Sequence, residues 1–423
     1  MTVLWVRRHL LLHGLPVFQM MSMRTPGKLV IVSQHYAPDQ STTAGIVSAI
    51  ATHLAKVMEV FVLSGSSGSL PHQLRNADQP IVIEIRNSMP EKTALSKRAL
   101  LEIVFAIRTF IALLTKLRRG DVVLTVTAPF MLPYAVTAAA QLRGARTILI
   151  LHDLYPDVLV MAGLLRPTSI VTKAIRAANT LMFRALNTVV IIGRDMEHLL
   201  TRYKGMTSDK MMFIPNWATL SPGVRPIVPD NIYRSRCSAP FVVGLSGNLG
   251  FTHDPDVVFD AAVQLQNDPS IHFLLSGWGM GFERLKARQA EAHLPNLTLI
   301  DRVPEEKLEE FLSAADVWII PYRKNVAGVS VPSRFYNLLA IGRAVLIISE
   351  PNAEAALTVS ENSLGWVVPP GDAWELAKTI RIASSDKDIK LRSEKAAAIA
   401  VQFSRSVALE KYERLAEMLL ETR

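Results

Sequence analysis

Cysteine is almost absent from this chain, since Cys237 is the only one among 423 residues. A single cysteine can form neither a disulfide framework nor a thiolate metal site within the chain. Such scarcity is typical of proteins from a reducing cytoplasm. The sequence also lacks basic repeats with interleaved aromatic residues, zinc-ligand spacings and RNA-binding signatures. We therefore expect no bound metal and no nucleic-acid partner.

Long uninterrupted hydrophobic runs are missing as well. The apolar segment Ala99–Leu117 contains Glu102, Arg108 and Lys116, and each charge would cost roughly 2.5–3.5 kcal/mol at the middle of a membrane. A second apolar segment, Ala128–Leu142, is shorter than the roughly twenty residues that span a bilayer. We therefore predict that both segments are buried helices of an α/β domain.

Basic residues are in excess, and the net charge is +9. This excess favours an anionic membrane or a phosphorylated substrate over nucleic acid. The two apolar segments could together form a basic, apolar face that rests on an anionic bilayer. Such a face would place the protein in the cytoplasm, at the inner face of the cell membrane. The flanking basic residues are Lys92, Lys97, Arg98, Lys116, Arg118, Arg119, Arg143 and Arg146.

Residues 1–26 have some features of a signal peptide, namely Arg7 and Arg8 followed by a short apolar run from Leu10 to Phe18. Histidines and a proline interrupt that run, and no good cleavage site follows it. We interpret these residues as a dispensable extension rather than a targeting signal.

Strands and helices alternate along the rest of the chain, which predicts doubly wound parallel sheets of the α/β class. Since single cores rarely exceed roughly 250–300 residues, we expect two domains. The boundaries predict a Rossmann-like domain over 27–215, a proline-rich linker over 216–239 and a second Rossmann-like domain over 240–400. A final amphipathic helix within 401–423 is expected to return to the first domain.

The segment from Val317 to Leu346 predicts a strand, a polar loop and an apolar helix that begins at Ser333 and Arg334. A helix start offers unpaired backbone N–H groups and a partial positive charge, which suits a phosphate. Arg334 adds a planar, permanent cation. The alternative is an ordinary N-cap with a solvated arginine.

Seven short runs occur in order along both halves. They are Ser33-Gln34-His35-Tyr36-Ala37-Pro38 with Gly45, His152-Asp153-Leu154-Tyr155-Pro156-Asp157, Ile214-Pro215-Asn216-Trp217, Gly247-Asn248-Leu249-Gly250, Ser276-Gly277-Trp278-Gly279, Ala314-Ala315-Asp316-Val317-Trp318 and Val331-Pro332-Ser333-Arg334. Over about residues 28–420, this set resembles the retaining GT-B glycosyltransferases of family 4. The greatest similarity is to those that build bacterial surface polysaccharides, such as the colanic-acid and O-antigen transferases.

The resemblance implies a GT-B fold, with two Rossmann-like domains facing a central cleft. It also implies that a sugar moves from a UDP- or GDP-sugar, with UDP favoured, to an oligosaccharide acceptor linked to a polyprenyl diphosphate. No metal or other cofactor is expected, since many related enzymes use none. Helix dipoles and cations would then stabilise the charge that grows on the departing diphosphate.

The resemblance assigns the donor diphosphate to the turn after the first strand of the second half. Gly247 and Gly250 would let the backbone approach the diphosphate closely, although a plain tight turn is the alternative. Family members often carry an arginine and a lysine here, whereas this chain has Asn248 and His253. Arg334 is therefore expected to be the main phosphate partner. Arg194, after an earlier strand, could reach the diphosphate from the first domain, and a solvated helix start is the equal alternative.

Other donor contacts follow from the same resemblance. The second glutamate of the family's paired glutamates, which holds the ribose, aligns with Asn337, and an amide can also bind hydroxyls. The first glutamate aligns with Val329, which cannot replace a carboxylate. The base is expected near Arg302 and Val303, after the strand that ends at Ile300.

His152 and Asp153 directly follow a predicted buried strand, where α/β folds place their ligands. The resemblance gives His152 an approach to the donor sugar, and we expect both residues, with Arg334, to be catalytic. A histidine packed beneath the loop is the alternative. Gly45 is expected to open a helix that faces the acceptor or its phosphate.

Three other functions remain open at this stage. A UDP-sugar epimerase of the same architecture would need charged acid–base residues that are not evident here. A dinucleotide-dependent oxidoreductase would need a Gly-x-Gly-x-x-Gly turn after the first strand, where the chain instead reads Gln34-His35-Tyr36. A catalytically weak partner subunit is compatible with the valine at position 329.

Overall fold

Two parallel β-sheets form the centre of the protein in the computed structural model, which describes residues 27–65, 78–87 and 95–421, without the side chains of 95–99. The predicted extension over 1–26 lies outside the described residues. The two-sheet arrangement with covering helices confirms the predicted doubly wound α/β class.

The first sheet has the order β3-β2-β1-β4-β5-β6-β7 in the described part of the chain. Its strands are rich in valine, isoleucine and leucine, and β-branched residues suit a strand that is covered on both faces. The strands are β1 (Leu29–Ser33), β2 (Val60–Ser64), β3 (Ile81–Glu84), β4 (Val122–Val126), β5 (Arg146–Leu151), β6 (Thr188–Ile191) and β7 (Met211–Phe213).

The second sheet repeats this plan with the order β10-β9-β8-β11-β12-β13. The order reverses beside the first strand of each sheet, and ligands of such folds bind at the carboxyl ends of the strands near that point. The strands are β8 (Phe241–Asn248), β9 (Ile271–Trp278), β10 (Leu297–Ile300), β11 (Val317–Pro321), β12 (Ala344–Ile348) and β13 (Gly365–Val368).

Helices cover the faces of both sheets. Those that follow the first six strands are α1 (Thr42–Leu54), α2 (Leu95–Lys116), α3 (Leu132–Arg143), α4 (Asp157–Met161), α5 (Ile170–Ala185) and α6 (Met196–Leu200). The remaining helices are α7 (Asp256–Gln264), α8 (Met280–Ala292), α9 (Leu308–Leu312), α10 (Arg334–Ala340), α11 (Glu354–Asn362), α12 (Ala373–Ser384), α13 (Ile389–Ala400) and α14 (Arg405–Glu421).

The C-terminal helix α14 packs against α1 and β4, which belong to the first half of the chain. Arg146 donates from Nη1 to the carbonyl oxygen of Leu419 at 2.7 Å, and Nε2 of His53 lies 2.6 Å from a carboxylate oxygen of Glu413. The last helix therefore ties the end of the chain to the first sheet.

The two apolar segments form helices of the first half, as predicted, but only one of them is buried as expected. Helix α2 buries Phe105 and Leu113 against the sheet, whereas Ile107 and Ile111 on its other face are more than half exposed. The helix is therefore amphipathic rather than wholly buried. In the described part of the chain, no helix combines the length and the apolar character needed to cross a membrane.

Candidate functional site

The carboxyl ends of the two sheets meet across one crevice. Asp153, after β5, forms an antiparallel bridge with Ser330, which lies in the loop after β11. The backbone N–H of Leu154 donates to the carbonyl oxygen of Val329 at 3.2 Å. These contacts join the two halves at the edge where both folds place their ligands.

Arg334 lies in this crevice as the first residue of α10. Its guanidinium donates to the carbonyl oxygens of Ser246 and Asn248, and it forms no ion pair with any carboxylate of the described residues. Desolvation lowers its pKa to about 10, which still leaves it charged at neutral pH. A cation without a counter-ion in a desolvated crevice is unfavourable, and an incoming anion would relieve that cost.

Gly247 makes room for this guanidinium. Its φ is +112°, and a Cβ atom there would lie 2.9 Å from Cζ of Arg334, so a larger residue would be strained in backbone and in space. Gly250 has no such constraint, since its nearest atoms, in the side chain of Asn248, lie 3.8 Å or more from a built Cβ. The glycine turn therefore serves the placement of the arginine directly.

His253 is buried behind the same turn. Its Nδ1 lies 2.9 Å from Oγ1 of Thr252, and its ring stacks on that of Tyr322 with 5.2 Å between the ring centres. Its Nε2 is buried and has no hydrogen-bond partner in the part of the chain that the structure describes. Burial and the positive charge of Arg334 hold its pKa well below its usual range. His253 is therefore neutral and supplies no second cation.

His152 and Asp153 are held by Thr127, whose Oγ1 accepts both of their backbone N–H groups, at 3.2 and 3.3 Å. Burial lowers the pKa of His152 to about 4, and its buried Nε2 has no hydrogen-bond partner within the described ranges. Burial raises the pKa of Asp153, while a hydrogen bond with Ser330 opposes that rise. A neutral imidazole can form a hydrogen bond with a sugar hydroxyl. It is less suited to stabilising the negative charge of a phosphate, because it carries no positive charge.

Arg302 stacks on Trp278, with Cζ 4.6 Å from the ring centre. Both residues are exposed at the carboxyl ends of β9 and β10, and Val303 beside them is half-buried. A flat cation on an indole ring makes a platform that a nucleotide base can join. Trp278 belongs to one of the seven runs in the sequence, but the pattern of residues assigns it no role.

Ser333 and Asn337 occupy the two ends of the first turn of α10. Ser333 has a helical backbone conformation and makes no side-chain capping bond. The Oδ1 atom of Asn337 accepts the backbone N–H groups of Thr219 and Leu220, at 2.7 and 3.3 Å. Asn337 therefore anchors the linker, and its contact with ribose stays a prediction.

The expected role of Gly45 as the residue that opens a helix is wrong. Helix α1 begins at Thr42, because the Ser41 side chain caps it by accepting the N–H of Ala44 at 3.2 Å. The N–H of Gly45 donates to the carbonyl oxygen of Ser41 at 3.0 Å. The backbone N–H of Gly45 is therefore used in a hydrogen bond of the helix and cannot bind a phosphate.

Arg194 contacts the second half of the chain through carboxylates. Its side chain pairs with Glu354 and Glu361 of α11, each at 3.0 Å. The neighbouring Asp195 accepts the backbone N–H of Gly328 at 2.8 Å and that of Glu354 at 3.1 Å. Two consecutive residues after β6 thus join the halves, which sequence alone does not reveal because their partners lie far along the chain.

Both halves of the chain match known family models. The model described as "Glycosyl transferase 4-like domain" covers residues 42–217, and the model described as "Glycosyl transferases group 1" covers residues 237–400. The boundary between the two models falls in the proline-rich stretch that separates the two sheets.

Individual relatives agree with these models. The chain is 28% identical over 340 residues to "Probable glycosyltransferase WbjE" of Pseudomonas aeruginosa. The aligned region covers 78% of this chain and 82% of the relative. It is 25% identical to "Putative colanic acid biosynthesis glycosyl transferase WcaI" of Escherichia coli strain K12, over 63% of this chain and 67% of the relative.

A solved structure shares the fold. Alr3699/HepE of Anabaena, in complex with UDP and glucose, superposes with a TM-score of 0.64 at 16% identity. The match covers 94% of this chain and all of the other. At this identity the likeness concerns the fold alone.

Proposed function

Because both halves of this chain belong to the glycosyl transferase families, 4-like and group 1, and form a GT-B glycosyltransferase, we propose a specific reaction for it. The enzyme transfers a sugar, with retention of configuration, from a UDP- or GDP-sugar to a polyprenyl-diphosphate-linked oligosaccharide. The reaction takes place at the cytoplasmic face of the cell membrane, during synthesis of a surface polysaccharide. The name of the colanic acid relative supports that pathway class.

The observation that carries this proposal is the guanidinium of Arg334 in the crevice, which donates to two carbonyl oxygens and forms no ion pair with the described residues. When the sugar–phosphate bond breaks, negative charge grows on the β-phosphate of the leaving nucleotide. A fixed, planar cation that holds two phosphate oxygens lowers the energy of that transition state. The arginine is already oriented by two carbonyl oxygens, so it needs little reorganisation when the charge develops.

The remaining donor contacts follow from the positions of the other crevice residues. The stacked pair of Trp278 and Arg302 offers a platform for the base. His152, neutral and with an unpartnered Nε2, hydrogen-bonds a hydroxyl of the transferred sugar. UDP is the first nucleotide to test, and GDP is the alternative.

The exposed face of α2 supports the membrane part of the proposal. Four of its apolar side chains are 41 to 61% exposed at helical spacing and form one stripe, which we call the α2 stripe: Leu100, Ile103, Ile107 and Ile111. Arg118 and Arg119, just after the helix, are exposed as well. An apolar stripe with basic neighbours suits an anionic lipid surface.

Incubation with radiolabelled UDP- and GDP-sugars and membranes tests the reaction. We expect the label to enter the lipid fraction, and only with one nucleotide. Interconversion of free nucleotide sugars without transfer would indicate an epimerase instead. No turnover of any donor, by a protein that is folded, would indicate a non-catalytic partner subunit.

A further inference from the structure

Two buried polar atoms near Arg334 have no hydrogen-bond partner among the described residues, namely the hydroxyl oxygen of Tyr322 and Nε2 of His253. Tyr322 directly follows β11 and is 2% exposed. Its ring stacks on that of His253 with an interplanar angle of 29°, and the two residues also form an antiparallel backbone bridge. The pair is therefore fixed in both backbone and ring orientation.

Buried polar atoms of folded proteins are almost always hydrogen-bonded, so two orphaned atoms in one place require an explanation. The charges that act on the Tyr322 hydroxyl include those of Arg334, Asp195 and Asp153, which line the crevice from both halves. The charge of Arg334 also acts on His253. Both groups lie within the electrostatic reach of Arg334, whose guanidinium contacts the turn that leads to His253.

The protonation states of these groups indicate the kind of ligand that fits. Burial raises the pKa of Tyr322, so its hydroxyl keeps its proton and can donate. The neutral His253 carries one proton, and when the Thr252 hydroxyl is the donor of its 2.9 Å hydrogen bond with Nδ1, that proton lies on Nε2. Together with Arg334, these two groups then supply three donors, and oxygens of an anion would satisfy all of them.

We propose that Tyr322 binds the nucleotide sugar. Its hydroxyl donates a hydrogen bond to a phosphate oxygen, beside Arg334. His253 donates from Nε2 to the same diphosphate. This inference rests on the proposed function and specifies which groups besides Arg334 bind the doubly charged diphosphate.

Tyr322→Phe tests the proposal because it removes one oxygen atom and keeps the stacked ring. We expect the dissociation constant for UDP, or for GDP if that is the nucleotide bound, to rise about tenfold in calorimetry, the scale for one lost hydrogen bond to a charged group. The variant should melt at the same temperature as the wild type or higher, since an unsatisfied buried hydroxyl has been removed. Affinity for uridine or guanosine, which has no phosphate, should not change.

Two further variants make the result specific. Tyr412→Phe, at a buried tyrosine of α14 on the first domain, should leave nucleotide affinity unchanged. His253→Phe keeps an aromatic ring against Tyr322 and removes both nitrogens, so it should weaken UDP or GDP binding as Tyr322→Phe does.

Two results would overturn the inference. Equal nucleotide affinity in wild type and Tyr322→Phe would show that the hydroxyl does not contact the ligand. A lower melting temperature with unchanged affinity would show that it holds a structural water instead. Both results leave the proposed function standing, whereas a wild-type protein that binds neither UDP nor GDP would remove the basis of both proposals.

Discussion

Two arginines on either side of one helix show how residues of the same type are used differently. Arg334 begins α10 and faces the crevice, while Arg343 follows the helix and is 2% exposed. Arg343 donates to the carbonyl oxygens of Ala315, Arg225 and Ser313 at 2.8 to 2.9 Å. It therefore joins several chain segments, whereas Arg334 remains accessible to an anion.

Arg334→Ala should lower kcat/KM by about two orders of magnitude, the scale for one lost charge-stabilising donor. Arg334→Lys should recover only part of the rate, since a lysine cannot reproduce the planar fork. Steady-state kinetics with the donor that turns over would measure both effects. As the control, Arg343→Lys should lower the melting temperature and change kcat/KM little. An Arg334→Ala enzyme with normal kinetics would contradict the role of this residue.

Asn337 is expected to serve both the linker and the nucleotide. Asn337→Ala should lower the melting temperature, because two backbone N–H groups of the linker lose their acceptor. It should also weaken nucleotide binding in calorimetry, whereas Asn337→Glu should be tolerated. Thr219→Val removes a linker partner and keeps the amide, so nucleotide affinity should persist. Unchanged affinity in Asn337→Ala would reject the ribose contact.

The buried His152 predicts a pH dependence of stability. Its pKa falls from 6.5 unfolded to about 4 in the folded protein, so between these values only the unfolded chain takes up the proton. The contribution of His152 to the free energy of unfolding should therefore be most favourable above pH 6.5 and decline as the pH falls toward 4. His152→Gln should show a shallower decline in urea titrations over this range. An identical slope in both proteins would contradict a neutral, buried imidazole.

At the scale of elements, α2 shows the difference between forming a helix and placing its faces. The apolar periodicity of the segment predicts the helix, and the buried Phe105 and Leu113 fasten it to the first sheet. Its charged residues are compatible with a surface position, since Arg108 donates to the carbonyl oxygen of Arg86 at 2.8 Å. The α2 stripe is left uncovered within the described part of the chain.

The double variant Ile107→Ser, Ile111→Ser should reduce sedimentation with anionic liposomes, because the α2 stripe loses the apolar area that would enter the interface. Wild-type binding should weaken at high salt, which screens the basic residues. Nucleotide affinity should not change in the variant.

The matched control lies on the other domain. Ile382 of α12 is 49% exposed, close to the exposure of the two α2 positions. Ile382→Ser should sediment like the wild type. If the wild-type protein stays in the supernatant at low salt, the acceptor need not be carried by a lipid.

At the scale of the whole molecule, contacts across the crevice hold the two halves together. Arg194 pairs with Glu354, whose side chain is only 4% exposed. Asp195 accepts the N–H at the start of α11 and also that of Gly328. Arg194 and Asp195 of the first domain therefore bind the second domain at the start of α11 and at the loop that leads to Arg334.

Arg194→Ala should open the crevice, because it leaves a buried carboxylate without its cation. We expect a larger radius of gyration in small-angle scattering and a higher KM for the donor, with a smaller change in kcat. Arg176→Ala is the control, since that arginine pairs with Asp157 inside the first domain and is similarly exposed, at 42% against 41% for Arg194. An unchanged radius of gyration in Arg194→Ala would show that the ion pair of Arg194 with Glu354 does not keep the crevice closed.

The α/β class, the parallel sheets and most of the element order are predictable from the sequence, because alternating apolar runs and turn residues act locally. The sequence also locates Arg334, His152 and Asp153 after buried strands, since position at a strand's carboxyl end follows from chain order. The predicted start of the first helix was wrong because a capping side chain near Gly45 sets the helix boundary. Ser41 starts α1 earlier than the glycine suggests.

Which residues meet depends on the tertiary packing. The partner of Arg194 is 160 positions away, and the stack of His253 on Tyr322 joins two loops that follow different strands. No periodicity encodes such pairs, because they depend on how strands cross over and how the two sheets face each other. The same packing exposes the stripe on α2 and turns Asn337 toward the linker. Burial then sets the charge of each crevice group, since desolvation acts only once the chain has closed around it.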